Sequence, residues 1–337
     1  MKVGLIGKRS SGKTLLFEAL SGIDAVPQAG LVNLAKVRVK DPHIDKLSEI
    51  FKPQKTTYAE FDLMDYNRAH DASDSMLGSA NLMARYRELD AIVIVVGVID
   101  DLAFVSSELD DICVEMNISD TLMIEAKIQR MKKAAFDKQE MHLYESILAK
   151  LENNEPVDRN SFTKDDMRLL SAFQLFALKP LMVAVNVTEG LISSSANIDL
   201  GKHKLPHVLI SAEIEKELNS LGEDEKKQYL SEIGLSEGIA GRFIRMLYST
   251  MDLISFYTVG PDEVRAWSIT KGSTALTAAG KIHSDIERGF IKASTIGYDE
   301  FMKYGDEKKA QAAGAMKSEG KEYVVQHGDI IHFKFNV

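Results

Sequence analysis

The chain has 337 residues, 45% of them hydrophobic and 27% charged, a globular composition that excludes a mostly disordered protein. A formal net charge of −9 excludes a surface built throughout to coat nucleic acid, and no DNA partner is expected. The longest apolar runs are far too short to span a bilayer, and the lone cysteine, Cys113, cannot close an internal disulfide; a cytoplasmic protein without membrane contact is expected.

In chain order, residues 2–6 read as a short buried strand and 15–20 as a helix, with Gly7-Lys8-Arg9-Ser10-Ser11-Gly12-Lys13-Thr14 between them. This is the spacing G-x-x-x-x-G-K-[ST]. Its glycines let the backbone bend so that successive N–H groups point inward, and the helix N-terminus adds partial positive charge, which together make a nest for a polyphosphate. The expected cradle is Gly7, Ser10, Ser11, Gly12, Lys13, Thr14 and Leu15. Lys13 should reach the terminal phosphates, and the Thr14 hydroxyl should complete the shell of a Mg²⁺ ion.

Further strands are expected at 35–39, 58–63, 92–96, 181–185 and 208–211, with a helix at 43–51. Their near-continuous apolar runs predict an α/β fold with a mostly parallel sheet covered by helices. Between the fourth and fifth strands, helical spacing from 119 onward and a capping signal at Thr163-Lys164-Asp165-Asp166 predict an inserted helical hairpin. From 255 the pattern changes to short alternating segments around a helix at 274–288, which predicts a small α+β domain. The expected division is therefore 1–118 with 179–254 as the nucleotide-binding domain, 119–178 as the hairpin, and 255–337 as the last domain. That last segment balances eleven Lys and Arg against eleven Asp and Glu, so RNA contact would be local, through Lys271, Lys292 and Lys334 or the Arg130-Lys132-Lys133 cluster.

A phosphate loop of this kind needs an acid at the end of a neighbouring strand to hold Mg²⁺ through water. Asp62, after Ala59-Glu60-Phe61, is the natural candidate and joins Lys13 as the expected catalytic pair. For the base, the chain reads Asn186-Val187-Thr188-Glu189 where a GTP-specific protein carries Asn-Lys-x-Asp. The Asn186 amide complements the N6 and N7 edge of adenine, whereas Glu189 spoils the guanine fit. ATP is accordingly expected over GTP, with Ser211 and Ala212 closing over the base edge.

These residues resemble the Obg-like ATPase family, the YchF group of P-loop proteins. The likeness runs through Asp41-Pro42 to Lys52-Pro53, Leu178-Lys179-Pro180 to Glu189, Val264-Arg265-Ala266-Trp267, His283 to Ile291, and Glu319-Gly320-Lys321 to Val337. It implies a Ras-like nucleotide domain, a coiled-coil insertion and a C-terminal TGS domain of β-grasp type. Members bind and slowly hydrolyse ATP and associate with ribosomes, which implies the ribosome or its RNA as partner through the TGS domain or the hairpin.

Several positions depart from the family's pattern. Where the family has Tyr-Pro-Phe-x-Thr-Ile, this chain has Val26-Pro27-Gln28-Ala29-Gly30-Leu31, with no hydroxyl to close on Mg²⁺. Ser10 replaces an Asn of the loop; Tyr66 lacks the carboxamide that positions water in Ras-like enzymes, but the family itself has an apolar residue there, so it decides little. The family's Asp-x-x-Gly reads Asp62-Leu63-Met64-Asp65, which sets Asp65 in the glycine's place. At about 6 Å from a phosphate and an effective dielectric of about 20, each pair of unit charges would repel by roughly 3 kcal/mol, disfavouring ATP relative to ADP by on the order of a hundredfold. Two functions stay open: a slow ATPase switch, and a hydrolysis-impaired nucleotide-sensing or scaffolding protein of the ribosome.

Overall fold

The computed structural model describes residues 1–26, 32–66, 75, 77–133, 137–192, 198–235 and 237–336. Its strands, in chain order, are β1 (Lys2–Ile6), β2 (Val32–Arg38), β3 (Lys55–Thr57), β4 (Glu60–Tyr66), β5 (Ala91–Val98), β6 (Leu181–Val187), β7 (His207–Ile210), β8 (Leu253–Thr258), β9 (Glu263–Thr270), β10 (Phe290–Gly297), β11 (Lys317–Glu319) and β12 (Asp329–Phe335). They form two sheets, ordered β2-β4-β1-β5-β6-β7 and β11-β10-β12-β8-β9-β3.

In the first sheet the pairs β1·β4, β1·β5, β5·β6 and β6·β7 are parallel, and Ala91 through Val96 are buried on both faces, as the apolar run requires. Ligands of such sheets bind beyond the carboxyl ends of the strands. The Gly7–Thr14 loop, Gly97, Asn186 and Ser211 all stand at that edge.

The chain separates into two compact units, Met1–Ala35 with Asp62–Ala240, and Lys36–Phe61 with Gly241–Val337. This differs from the expected division. The stretch between β2 and β4 joins the second sheet instead: β3 pairs parallel with β9, Thr57 donates to Glu263 (2.5 Å), and Tyr257 donates to Asp41 (2.5 Å). Three residues of strand are too short a run for periodicity to reveal.

The helix that enters the expected 119–178 hairpin starts well before 119. One helix runs unbroken from Val105–Lys132; Val105, Leu109, Ile112 and Met116 belong to the core under the first sheet, while Ile124, Ile128 and Met131 pack with Tyr144, Ile147 and Leu151 in a second core. The returning Lys138–Glu152 and Lys164–Ser171 helices complete that second core, the latter opened by the capping box of Thr163 and Asp166. Where the two cores meet, Arg87 donates to Asp120 (2.6 Å) and lies over the Phe176 ring.

In the second unit, the β8·β9 hairpin, the Ala275–Ile282 helix and the antiparallel β10·β12 pair join through a parallel β12·β8 contact, which is the β-grasp order. The helix expected at 274–288 is two helices. His283 turns to extended backbone (φ −162°, ψ 143°), and its Nδ1 accepts from the Asp285 N–H to cap Ser284–Arg288. Trp267 donates to Thr258 Oγ1 (3.0 Å) beside the core of this unit, with Arg265 stacked on its ring. No helix among the described residues is long and apolar enough to cross a membrane.

Candidate functional site

The loop after β1 turns through backbone conformations that favour glycine: Gly7 has φ 155°, Ser10 φ 60° and Gly12 φ 82°. Gly12 is the N-cap of the Lys13–Ser21 helix, and the first turn holds no acid. No side chain caps that end, and a helix N-terminus of this kind is where anions bind. Lys13 is buried, and its Nζ donates to the carbonyls of Gly7 (3.0 Å) and Lys8 (2.5 Å), inside the ring where phosphate oxygens would sit. Ser10 is exposed at the loop's tip and Leu15 is half-buried.

Asn186, Ser11 and Ala212 form one joint. The Asn186 Nδ2 donates to Ser11 O (3.2 Å), while its Oδ1 accepts from the Ala212 N–H (2.9 Å). The amide expected to read adenine thus spends one valence at each end on the protein, keeping a second hydrogen and a second lone pair. A Cβ on Gly12 would lie 2.0 Å from Asn186 Nδ2, so the left-handed glycine is also what lets this joint close. Ser211 is buried as the N-cap of the Ala212–Ser220 helix, and Glu189 is exposed at the start of the Glu189–Ile192 turn.

Asp62 is not the acid that stands beside the loop. Strand β4 continues three residues past the expected end, and its register with β1 pairs Lys2 with Asp62 and Leu5 with Asp65. Asp62 therefore lies about 10 Å back along the strand, on the face opposite to Asp65. Asp65 takes the place by the loop: its Oδ2 accepts from Thr14 Oγ1 (2.8 Å) and Asn33 Nδ2 (3.2 Å). Asp65 is buried, and its Oδ1 has no hydrogen-bond partner among the described residues. An orphaned carboxylate oxygen is costly unless something is meant to meet it. A hydrated Mg²⁺ fits this donor set, since it takes one or two carboxylates and a hydroxyl and draws its other ligands from water and phosphate. Among the described residues no group of three or more His, Cys, Asp or Glu offers an all-protein metal cage.

With the register moved by three, the Asp-x-x-Gly counterpart is Asp65-Tyr66-Asn67-Arg68, whose last two residues fall outside the described ones. The expected repulsion of phosphate by Asp65 in the glycine's place is withdrawn. Tyr66 packs edge-on against Tyr86 at 5.2 Å and belongs to the core. The segment compared with the family's hydroxyl-bearing run, 27–31, also lies outside the described residues.

A family model, YchF-GTPase_C, described as a protein of unknown function, matches residues 253–336. Over the whole of this chain, the "Ribosome-binding ATPase YchF" of Pasteurella multocida (strain Pm70) is 34% identical with 99% of its own length covered, and that of Bacillus subtilis (strain 168) is 33% identical with 100% covered. The chain belongs to the YchF family. The Schizosaccharomyces pombe YchF GTPase superposes with a TM-score of 0.86 at 26% identity, covering 99% of this chain and 97% of that one.

Two parts of this YchF-family site carry no motif in the sequence. Gly97, on β5, is paired with Asn186 on β6, and a Cβ there would lie 2.7 Å from Ser11 Cα. Gly97→Ala is expected to push the phosphate loop outward and weaken nucleotide binding by about 10- to 100-fold, read by calorimetry. Glu108 sits on the Val105–Lys132 helix with its carboxylate 3.5 Å from Lys8 Nζ. Burial pushes its carboxyl above the usual range against the pull of Lys8, and its Oε1 has no partner among the described residues.

Proposed function

We propose that this YchF-family protein binds ATP with Mg²⁺, hydrolyses it slowly, and works in association with the ribosome in the cytoplasm. The observation that carries the reading is a phosphate loop with an uncapped helix N-terminus, Lys13 inside it, and a buried acid joined to Thr14. The names of the relatives, which are ribosome-binding ATPases, support it.

In this reading the amides of Gly7, Ser10, Ser11, Gly12, Lys13, Thr14 and Leu15 bind the phosphates. Lys13 exchanges its carbonyl partners for the terminal phosphate oxygens. Thr14 and Asp65, rather than the Asp62 expected from the sequence, would hold the Mg²⁺ shell. Bound there, the ion neutralises charge that develops on the phosphate oxygens. The rate contribution of the protein is positional and electrostatic. Asn186, Glu189, Ser211 and Ala212 border the base, with adenine preferred to guanine for the absence of the Lys and Asp that a guanine site uses. The hydrolysis-impaired alternative loses a main support once Asp65 stands beside Thr14.

For the ribosome, the second unit, as a TGS-like domain, and the helical hairpin are the proposed contacts. Lys292 and Lys334 stand directly opposite each other on β10 and β12, whereas Lys271 follows β9. Like charges so placed repel, a cost that an RNA backbone would offset. Arg130, Lys132 and Lys133 cluster at the end of the long helix.

The testing experiment is phosphate release from ATP by purified protein beside Lys13→Ala. The variant is expected to turn over at least about a hundredfold more slowly. Equal rates would remove the ATPase.

A further inference from the structure

Asn33 stands on β2, buried, with both ends of its amide engaged. Its Nδ2 donates to Asp65 Oδ2 (3.2 Å), and its Oδ1 accepts from the backbone N–H of Val26 (3.0 Å). A flipped amide would set oxygen against carboxylate and NH₂ against N–H, so the two partners fix its orientation. Thr14 Oγ1 donates to the same Oδ2 (2.8 Å), which leaves Oδ2 with two donors and Oδ1 with none among the described residues.

The two donors differ in what else they can do. A hydroxyl can donate its proton to Asp65 and still offer a lone pair to a cation. The Asn33 NH₂ has no lone pair to give, so its whole effect passes through the carboxylate. The terminal torsion of an aspartate is broad and two-fold, and a carboxylate held only by Thr14 would turn about it freely. A second donor from another strand fixes the plane.

We propose that Asn33 is a positioning residue for the divalent cation: it locks Asp65 through Oδ2, reserves Oδ1 for the cation's shell, and ties that carboxylate to the backbone at Val26. This rests on the ATP and Mg²⁺ reading above. It adds a residue that touches neither nucleotide nor ion. Partners of this outer kind typically set metal affinity by about 10- to 100-fold.

The test is binding of a fluorescent adenine nucleotide to the full chain, with Mg²⁺ titrated from an EDTA baseline. Wild type, Asn33→Leu, Asp65→Ala and the double variant are compared. Asn33→Leu is expected to raise the Mg²⁺ midpoint about tenfold or more while leaving the affinity in EDTA within about twofold. In the Asp65→Ala background it should add nothing, because the carboxylate through which it acts is gone. Thermal unfolding by circular dichroism accompanies each chain, and Asn33→Ser, smaller and still polar, stands in should the leucine variant melt early. An unchanged Mg²⁺ midpoint, an equal loss with and without Asp65, or wild-type binding indifferent to Mg²⁺ would overturn the positioning role and leave the phosphate loop standing. A wild-type chain that binds no nucleotide would overturn the site and, with it, this role.

Discussion

Asp65→Asn is expected to lower ATP turnover by about two to three orders of magnitude, while Asp62→Asn changes it by less than about twofold. The contrast follows from one strand register. With Leu5 opposite Asp65, the carboxylate arrives where β1 gives way to the phosphate loop and meets Thr14; with Lys2 opposite Asp62, the other acid stays at the far end of the same strand. The amide keeps the size of Asp65 and removes the charge on which a hydrated cation depends. Phosphate release at saturating ATP and Mg²⁺ measures both variants, and the reverse ranking would return the metal role to Asp62.

The largest loss of stability is expected from Arg87→Ala. Asp120 is fully buried; it accepts from Arg87 Nη1 (2.6 Å) and from the Ala177 N–H (2.9 Å), and Arg87 also donates to Ser119 Oγ (2.7 Å) and lies 4.2 Å over Phe176. Burial raises the Asp120 carboxyl above its usual range even with the arginine present. Removing the guanidinium leaves an uncompensated charge, at a cost of about 3–5 kcal/mol. For a unit of this size that lowers the melting temperature by roughly 6–20 °C. The pH dependence has a definite sign. A carboxyl whose folded value is raised above its unfolded value binds more protons when native, so stability is retained in acid and declines as pH rises through the folded value. The deficit of Arg87→Ala should therefore be smaller in acid and grow as pH rises, as thermal unfolding across a pH series would record.

The nucleotide loop was legible because its chemistry needs particular residues at fixed spacing, and the strands of the first sheet because burial on both faces leaves them almost wholly apolar. Asp65 was not legible for the same reason. A buried acid inside a strand looks like the polar residue that ends one, so β4 reads three residues short and the carboxylate expected at its end falls on Asp62. Asn33 and Gly97 are set by what faces them across the sheet, which no local pattern encodes. The unbroken helix over Val105–Lys132 hides its passage between two cores, since both halves show the same spacing. The stretch between β2 and β4 belongs with the C-terminal sheet through a three-residue strand and side chains far apart in the chain, among them Tyr257 with Asp41 and Thr57 with Glu263.

That same helix has a mechanical consequence. Its 28 residues make a rod about 42 Å long, and helices of this kind bend only gently. Glu108 near one end lies against Lys8 of the phosphate loop, and Met131 near the other is seated among the hairpin side chains. A tilt of about 5° at the loop swings the distant tip by roughly 4 Å. Loop and tip are the two ends of one stiff element, so the reach of any tilt at the tip is set by the helix's length.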